Sequence, residues 1–433
     1  MKMVTRALLA AGLITATMTR LRPFETPFGV GEVLLLLFIL VVLPGWLQGA
    51  LRHRLAAKPW QHVSLIGCYA ALFLVLMVGC WQGNQSGLNP YAGSVRDMLA
   101  YAFCFLVSAG IVVNSDGPGD VARTLRDLTW VGLSVSAIIW IWAIAFGALG
   151  EFNLWYGGYG VRFTGLAINP NQNALLLVSL PFLLFFLLRT SAAGLWERRF
   201  GIAVGAVGLA AGWSTGSAAL RFIWIALIPM MIMAGMFFHS ELQRARRDYA
   251  LTVGLGAMLI FLSSESMVSR VHYLFDDVLP GTGTMNAEQM MLTGGAGWTD
   301  RLTLWENAWV VLQGSPVFGY GPGALSGMSG PFGGSEAHNS LLDWMMATGF
   351  LGGVVLTALV SVVLWRSARQ GNIELFFALL ALWAFSMAHH VLRHPWMWAM
   401  LTLLAVHAGG VYSRKSRAGS TRNDAKADGT CAG

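Results

Sequence analysis

TDRLTLWENAWVVLQGSPVFGYGPGALSGMSGPFGGSEAHNSLLDWMMATGFLGG, residues 299–353, is the stretch on which the reading of this chain turns. It closes the one long polar excursion in a chain otherwise built of nearly continuous apolar runs. It opens on an arginine and an amphipathic helix, passes a glycine-rich turn, presents His338 and Asn339, and at once enters a new apolar segment. Chemistry is expected here, where a buried chain surfaces into water.

Working outward, the chain has 433 residues, of which 56% are hydrophobic and 11% charged, and its mean hydropathy is +0.60. A soluble domain carries roughly 25% charged residues, so this composition belongs to an integral membrane protein. The N-terminus carries Lys2 and Arg6 before an apolar stretch to Met18. No small-x-small site precedes Arg20, so the stretch reads as an uncleaved first membrane helix. Three of the four cysteines, Cys68, Cys80 and Cys104, lie in apolar runs and Cys431 lies in the tail. None is placed to staple an exported loop. The net charge of +7 comes from short basic clusters between apolar runs, with no basic face interleaved by stacking aromatics. Nucleic-acid binding is therefore excluded.

Runs long enough to span a bilayer lie near 4–20, 30–50, 62–81, 95–113, 125–149, 171–189, 199–214, 219–238, 249–264, 341–365, 372–389 and 394–412. The expected fold is an all-α polytopic membrane protein of about twelve transmembrane helices. Nine of these fall in 1–264, a long periplasmic loop with amphipathic helices in 265–340, three helices in 341–412, and a disordered tail in 413–433. In TLWENAWVVLQ, Leu304, Trp305, Ala308 and Trp309 mark the face that would pack on the bundle or the bilayer interface.

Basic residues at Arg52/Arg54/Lys58, Arg123/Arg126, Arg189/Arg198/Arg199, Arg244/Arg246/Arg247, Arg366/Arg369 and Arg414/Lys415/Arg417 fall on every second connection. The positive-inside rule makes that side, and both termini, cytoplasmic. The opposite side holds few arginines, among them Arg20, Arg22, Arg96, Arg162, Arg221, Arg270, Arg301 and Arg393. These oppose the topological bias, so a role other than orientation is expected. A guanidinium is planar, permanently charged and matched to phosphate or carboxylate. For Arg221, Arg301 and Arg162 the two readings are a phosphate or diphosphate site and a structural ion pair. Arg270 has Glu265 and Asp276 near it in sequence, and Arg20 and Arg22 suit lipid head groups.

His338 fits either a cap or packing residue or a general base. Glu336 and Asn339 flank it, the preceding glycines allow backbone to approach a ligand, and an ordinary pKa near 6.5 suits proton removal at neutral pH. The run His389, His390, Arg393, His394 is loosely metal-like in spacing but has no companion ligand set, so outer-face anion contact or interfacial anchoring is expected and no metal. The outer face has no Asp-x-Asp, and the chain has no Walker loop and no Gly-x-Ser-x-Gly elbow. Nucleotide-sugar enzymes, ATPases and serine hydrolases all lose support.

Arg301 with Trp305, then SPVFGYGPG, then HNSLLDWMMATGFLGG resembles the O-antigen ligase/O-antigen polymerase superfamily. TGLAINPNQNALL resembles that superfamily's Gly-x-x-x-Asn-Pro-Asn element, and STGSAALRFIWIAL its Ser-Arg-x-x-Trp helix start, with Leu220 where serine is usual. The match runs over roughly 160–360. The resemblance implies a GT-C-like inner-membrane glycosyltransferase with no cofactor or metal. It would move a glycan from undecaprenyl diphosphate to a sugar of the lipid A–core oligosaccharide on the periplasmic side, with inversion. His338 would be the base, and Arg221 and Arg301 would hold the diphosphate. Arg162, Arg270, Asn169, Asn171, Asn339, Asp343 and Arg393 are further candidates. The alternatives are an O-antigen polymerase, a protein O-oligosaccharyltransferase and, in a different class, a transporter or flippase of an anionic lipid or solute.

Overall fold

The computed structural model describes residues 3–22, 28–47, 60–88, 91–156, 162–190, 194–238, 247–263, 298–324 and 336–409. Helices fall on each of the twelve apolar runs. Among the described residues six stretches are long and apolar enough to cross a membrane: Ser64–Ser86, Ser94–Asn114, Pro118–Phe146, Pro170–Thr190, Ala218–Gly235 and Ser340–Arg369. Met3–Ala16, Val30–Pro44 and Ile373–Ser386 are shorter apolar helices. A helix satisfies its own backbone, which is why apolar chain in a bilayer adopts it. The fold is mostly helical, as a multi-pass membrane protein requires.

In chain order the helices are α1 (Met3–Ala16), α2 (Val30–Leu47), α3 (Trp60–Ser86), α4 (Tyr91–Asn114), α5 (Pro118–Phe146), α6 (Pro170–Leu177), α7 (Leu180–Thr190), α8 (Leu195–Ser214), α9 (Ala218–Phe238), α10 (247–263), α11 (Trp298–Gly314), α12 (Ser340–Arg369), α13 (Ile373–Ser386) and α14 (395–409). Two small antiparallel hairpins follow α5: Ala148–Leu149 pairs with Phe152–Asn153, and Trp155–Tyr156 with Arg162–Phe163. Strands of two residues carry no hydropathy periodicity, so pattern alone does not reveal them.

Stretch 170–190 is the most enclosed of the six, and α14 is buried along most of its length. Side chains such as Leu36, Leu40, Leu74 and Met77 point outward, as lipid-facing residues do. An aromatic cluster joins α3, α4, α12 and α14. Phe105 meets Trp398 edge-on at 4.8 Å, and Tyr101 meets Trp344 at 5.2 Å.

Charges separate to the two ends of the bundle. Asp120, in the first turn of α5, lies 4.0 Å from Arg6 and 3.2 Å from Arg123. Arg126 pairs with Glu197, and Arg189 with Glu374, both at 2.7 Å. These are residues of the connections read as cytoplasmic. Helix α5 begins at Pro118, so Arg123 and Arg126 lie inside it rather than in a connection. The hairpins at the far end of α5 carry Arg162.

The glycine-rich turn after α11 docks into a break in α12. Gly349 adopts φ 66°, ψ −172°, interrupting the helix. The carbonyls of Met346 and Ala347 accept instead from Tyr320 N–H (2.7 Å) and Gly321 N–H (3.0 Å), and Phe350 N–H donates to Pro316 O at 2.7 Å. Buried backbone groups freed by the break are thus re-paired. A Cβ on Gly349 would sit 2.1 Å from the Val317 carbonyl, and one on Gly79 of α3 would sit 2.2 Å from Ala347 O. Gly319, Gly349 and Gly79 therefore let backbone approach backbone, while the glycines at 327–334 before His338 lie outside the described residues. Gly349→Ala is expected to cost about 1–3 kcal/mol, from overpacking with added left-handed strain. Gly67→Ala, at a site with open space, is the control, and unfolding of the purified protein followed by tryptophan fluorescence is the measurement.

Helix α11 packs on α12. Its buried side chains are Leu304, Ala308, Val311 and Leu312, with Trp305 partly buried, while Trp309 is 47% exposed and meets Phe350 edge-on. The expected face is corrected by part of a turn, because the docked glycine turn covers the side bearing Val311. The tail at 413–433 and much of the 265–340 loop lie outside the described residues.

Candidate active site

Segments distant in sequence converge on a cleft of about 710 Å³ at the Arg162 end of the bundle. Helix α6 presents its N-terminus there because Asn169 caps it, its side-chain oxygen accepting from Asn171 N–H at 2.8 Å, and Pro170 occupies the first turn. The Asn171 side-chain oxygen accepts from Arg162 Nη2 at 3.0 Å, and Thr215 O accepts from Arg162 Nε at 2.8 Å. The turn following α1 is latched on by Thr19, whose hydroxyl donates to Gln172 Oε1 (2.6 Å) and accepts from Ile168 N–H (3.0 Å).

Opposite stand Arg301 from α11 and His338, immediately before the Asn339 cap of α12. His338 has φ 51°, the only positive φ at a non-glycine position among the described residues. Such backbone costs of order 1–3 kcal/mol and persists where surrounding contacts impose it, often at functional sites. Burial, aided by the nearby Arg301 and His390 and opposed by Asp343, pushes the His338 imidazole below its ordinary range. It is therefore neutral at pH 7 and able to accept a proton.

The cleft is rich in cations. Arg22 pairs with Glu32 at 3.0 Å. Arg393 pairs with Asp97 at 2.6 Å and contacts Glu336. Arg162 is held by a carbonyl and an amide, and Arg301 has no carboxylate partner among the described residues. Burial, and then repulsion from Arg221, lowers the Arg162 pKa. An anion placed between Arg162 and Arg301 would offset that cost.

Of the residues anticipated from sequence, Arg162, Asn169, Asn171, Arg301, His338 and Arg393 line this cleft. Arg221 does not. Its Nε and Nη2 donate to Trp213 O at 3.1 and 2.8 Å, and its guanidinium lies 4.9 Å over the Trp213 ring, so it stands behind Arg162. Asn339 is a cap, its oxygen accepting from Leu341 and Leu342 N–H. Arg270 lies outside the described residues.

The histidine run is corrected in part. Burial drives His389 down to about 3 and His394 to about 4, so neither offers a cation to an anion. His394 instead ties the start of α14 to Ala16 O (3.2 Å) while its Nδ1 accepts from Trp396 N–H. Among the described residues no three His, Cys, Asp or Glu side chains are grouped to hold a metal ion. Arg22, read from the sequence as a lipid head-group contact, lines the cleft as well, and so does Gln172, which the sequence did not single out. The available signal was the polar break Thr19-Arg20-Leu21-Arg22 between two apolar runs.

Set beside known proteins, the chain matches no family model and no curated protein.

Proposed function

We propose that this chain is a membrane glycosyltransferase that takes a glycan from a polyprenyl diphosphate without metal. Within that class, its motifs favour an O-antigen ligase, with undecaprenyl diphosphate-linked O-antigen as donor and lipid A–core oligosaccharide as acceptor. The carrying observation is that a neutral histidine and two arginines lacking carboxylate partners among the described residues share one cleft. In this reading an acceptor hydroxyl attacks the anomeric carbon and inverts it. Its proton passes to His338 as the glycosyl–oxygen bond to the diphosphate breaks. Arg301 and Arg162 neutralise the charge that builds on the departing diphosphate, as fixed cations aimed at a developing anion do. Arg221, bonded to Trp213 O outside the cleft lining, adds to the positive potential at Arg162. The accompanying topology is twelve crossings in a GT-C-like arrangement in the bacterial inner membrane, with the cleft periplasmic and both termini cytoplasmic.

The test uses isolated membranes given lipid-linked O-antigen and lipid A–core. Transfer is expected to persist in EDTA and to require the lipid A–core acceptor. Chain extension without lipid A–core would identify a polymerase instead, and loss of transfer in EDTA would overturn the metal-free mechanism.

A further inference from the structure

We infer that Asp343 positions His338 and that His390 acts against it: the Asp343 carboxylate fixes the backbone that presents the imidazole, and its charge favours the protonated ring. The inference rests on the reading of His338 as proton acceptor. Asp343 lies in the first turn of α12, one turn beyond the Asn339 cap. Its Oδ1 reaches back across the cap to accept from Ala337 N–H at 2.9 Å. The Ala337 carbonyl is taken from the other side by Trp305 Nε1–H of α11 at 3.0 Å. With Ala337 fully buried and held at both backbone groups, and Asn339 locked into its helix cap, His338 is the joint between two fixed points. That constraint accounts for its left-handed backbone.

The other carboxylate oxygen, Oδ2, stands 2.8 Å from His390 Nδ1, within ion-pair range but off the line a hydrogen bond needs. Both line a small cavity of about 30 Å³ that Asp97, Tyr101 and Arg393 also line. His390 is brought there by Ser340, the first residue of α12, whose hydroxyl donates to His389 O (2.7 Å) and accepts from Val391 N–H (2.9 Å). One helix start thus holds both the imidazole-bearing strand and the segment facing it. When His338 takes a proton, the imidazolium forms in the field of the Asp343 carboxylate, which favours it, and of Arg301 and His390, which oppose it. The charged and titratable groups acting on His338 are Asp343 from α12, Arg301 from α11, and His389 and His390 from the connection before α14, with Glu336, Arg162, Arg22 and Arg393 lining the same cleft.

Diethyl pyrocarbonate modifies neutral imidazole, so its rate at His338, followed by peptide mass mapping of the full chain across pH, reads that side chain's titration directly. Asp343→Asn keeps an acceptor for Ala337 N–H but removes the charge, and the His338 midpoint is expected to fall by about one pH unit. His390→Gln removes a group that opposes the proton and is expected to raise the midpoint. In the transfer assay, Asp343→Asn should lower kcat about 10–100-fold with donor KM unchanged, the pattern of an interaction made only in the transition state. The acid limb of kcat/KM should move to lower pH with the midpoint. An unmoved His338 midpoint in both variants overturns the inference even if transfer is robust. Absence of transfer in the wild type would remove the functional reading, while the titration still decides the coupling.

Discussion

His338→Ala is expected to lower glycan transfer about 10²–10⁴-fold, the range a positioned general base contributes. In the proposed reading the proton acceptor is the His338 imidazole, which lines the cleft together with Arg301 and the α6 terminus. Its left-handed backbone complicates the alanine variant, because alanine resists φ 51°. Asparagine tolerates that conformation but takes no proton at neutral pH, so His338→Asn separates backbone from chemistry. Loss of transfer in both variants, with normal protein abundance, is the expected result. Full activity in His338→Asn would end the assignment. Arg301→Ala is expected to cost about 10²–10³-fold, as removal of one donor to a developing anion does. Arg301→Lys should recover only part of this, because an ammonium keeps the charge but lacks the planar fork. Both are read in the membrane assay with lipid-linked donor and lipid A–core.

The second large effect concerns stability at the opposite end. Glu374, in the first turn of α13, is fully buried. It takes Arg189 Nε and Nη2 at 2.7 and 2.9 Å and the Tyr249 hydroxyl at 2.9 Å. Three helices, α7, α10 and α13, meet on this one carboxylate. Glu374→Ala leaves the mostly buried Arg189 without this partner and is expected to cost about 3–5 kcal/mol. The paired change Arg189→Met/Glu374→Leu should recover most of that, because two apolar side chains need neither partner nor solvent. Denaturant titration of the purified protein checks both. Equal loss in the single and double variants would show that the pair does not carry the junction. This site also refines the comparison with transporters, for which a free acid in a span would relay protons. Among the described residues, acids near helix starts such as Asp97, Asp120, Asp343 and Glu374 each face a basic side chain.

Much was legible in the sequence because it is local. Hydropathy summed over about 20 residues depends on the chain's own side chains and on no partner, so every apolar run reappears as a helix. The same holds for the caps: Asn169-Pro170 and Asn339 start helices because their side chains serve backbone N–H groups two or three residues away. The sparse outward arginines were within reach of pattern, whereas the bond from Arg162 to Asn171 was not.

What required the tertiary structure is what depends on distant partners. Arg162 and Arg221 read alike in sequence, yet one faces the cleft and the other is turned onto Trp213, decided by which carbonyls the 213–217 turn offers. The histidines of 389–394 look like one cluster, but burial removes the charge of His389 and His394 while His390 meets Asp343. The motif glycines have steric reasons, visible only once residues 316–321 lie against 346–350. Composition determines which solvent each segment prefers. The pairing of a buried charge or backbone group is set by what the rest of the chain brings within 3 Å of it, and no window along the sequence contains that distance.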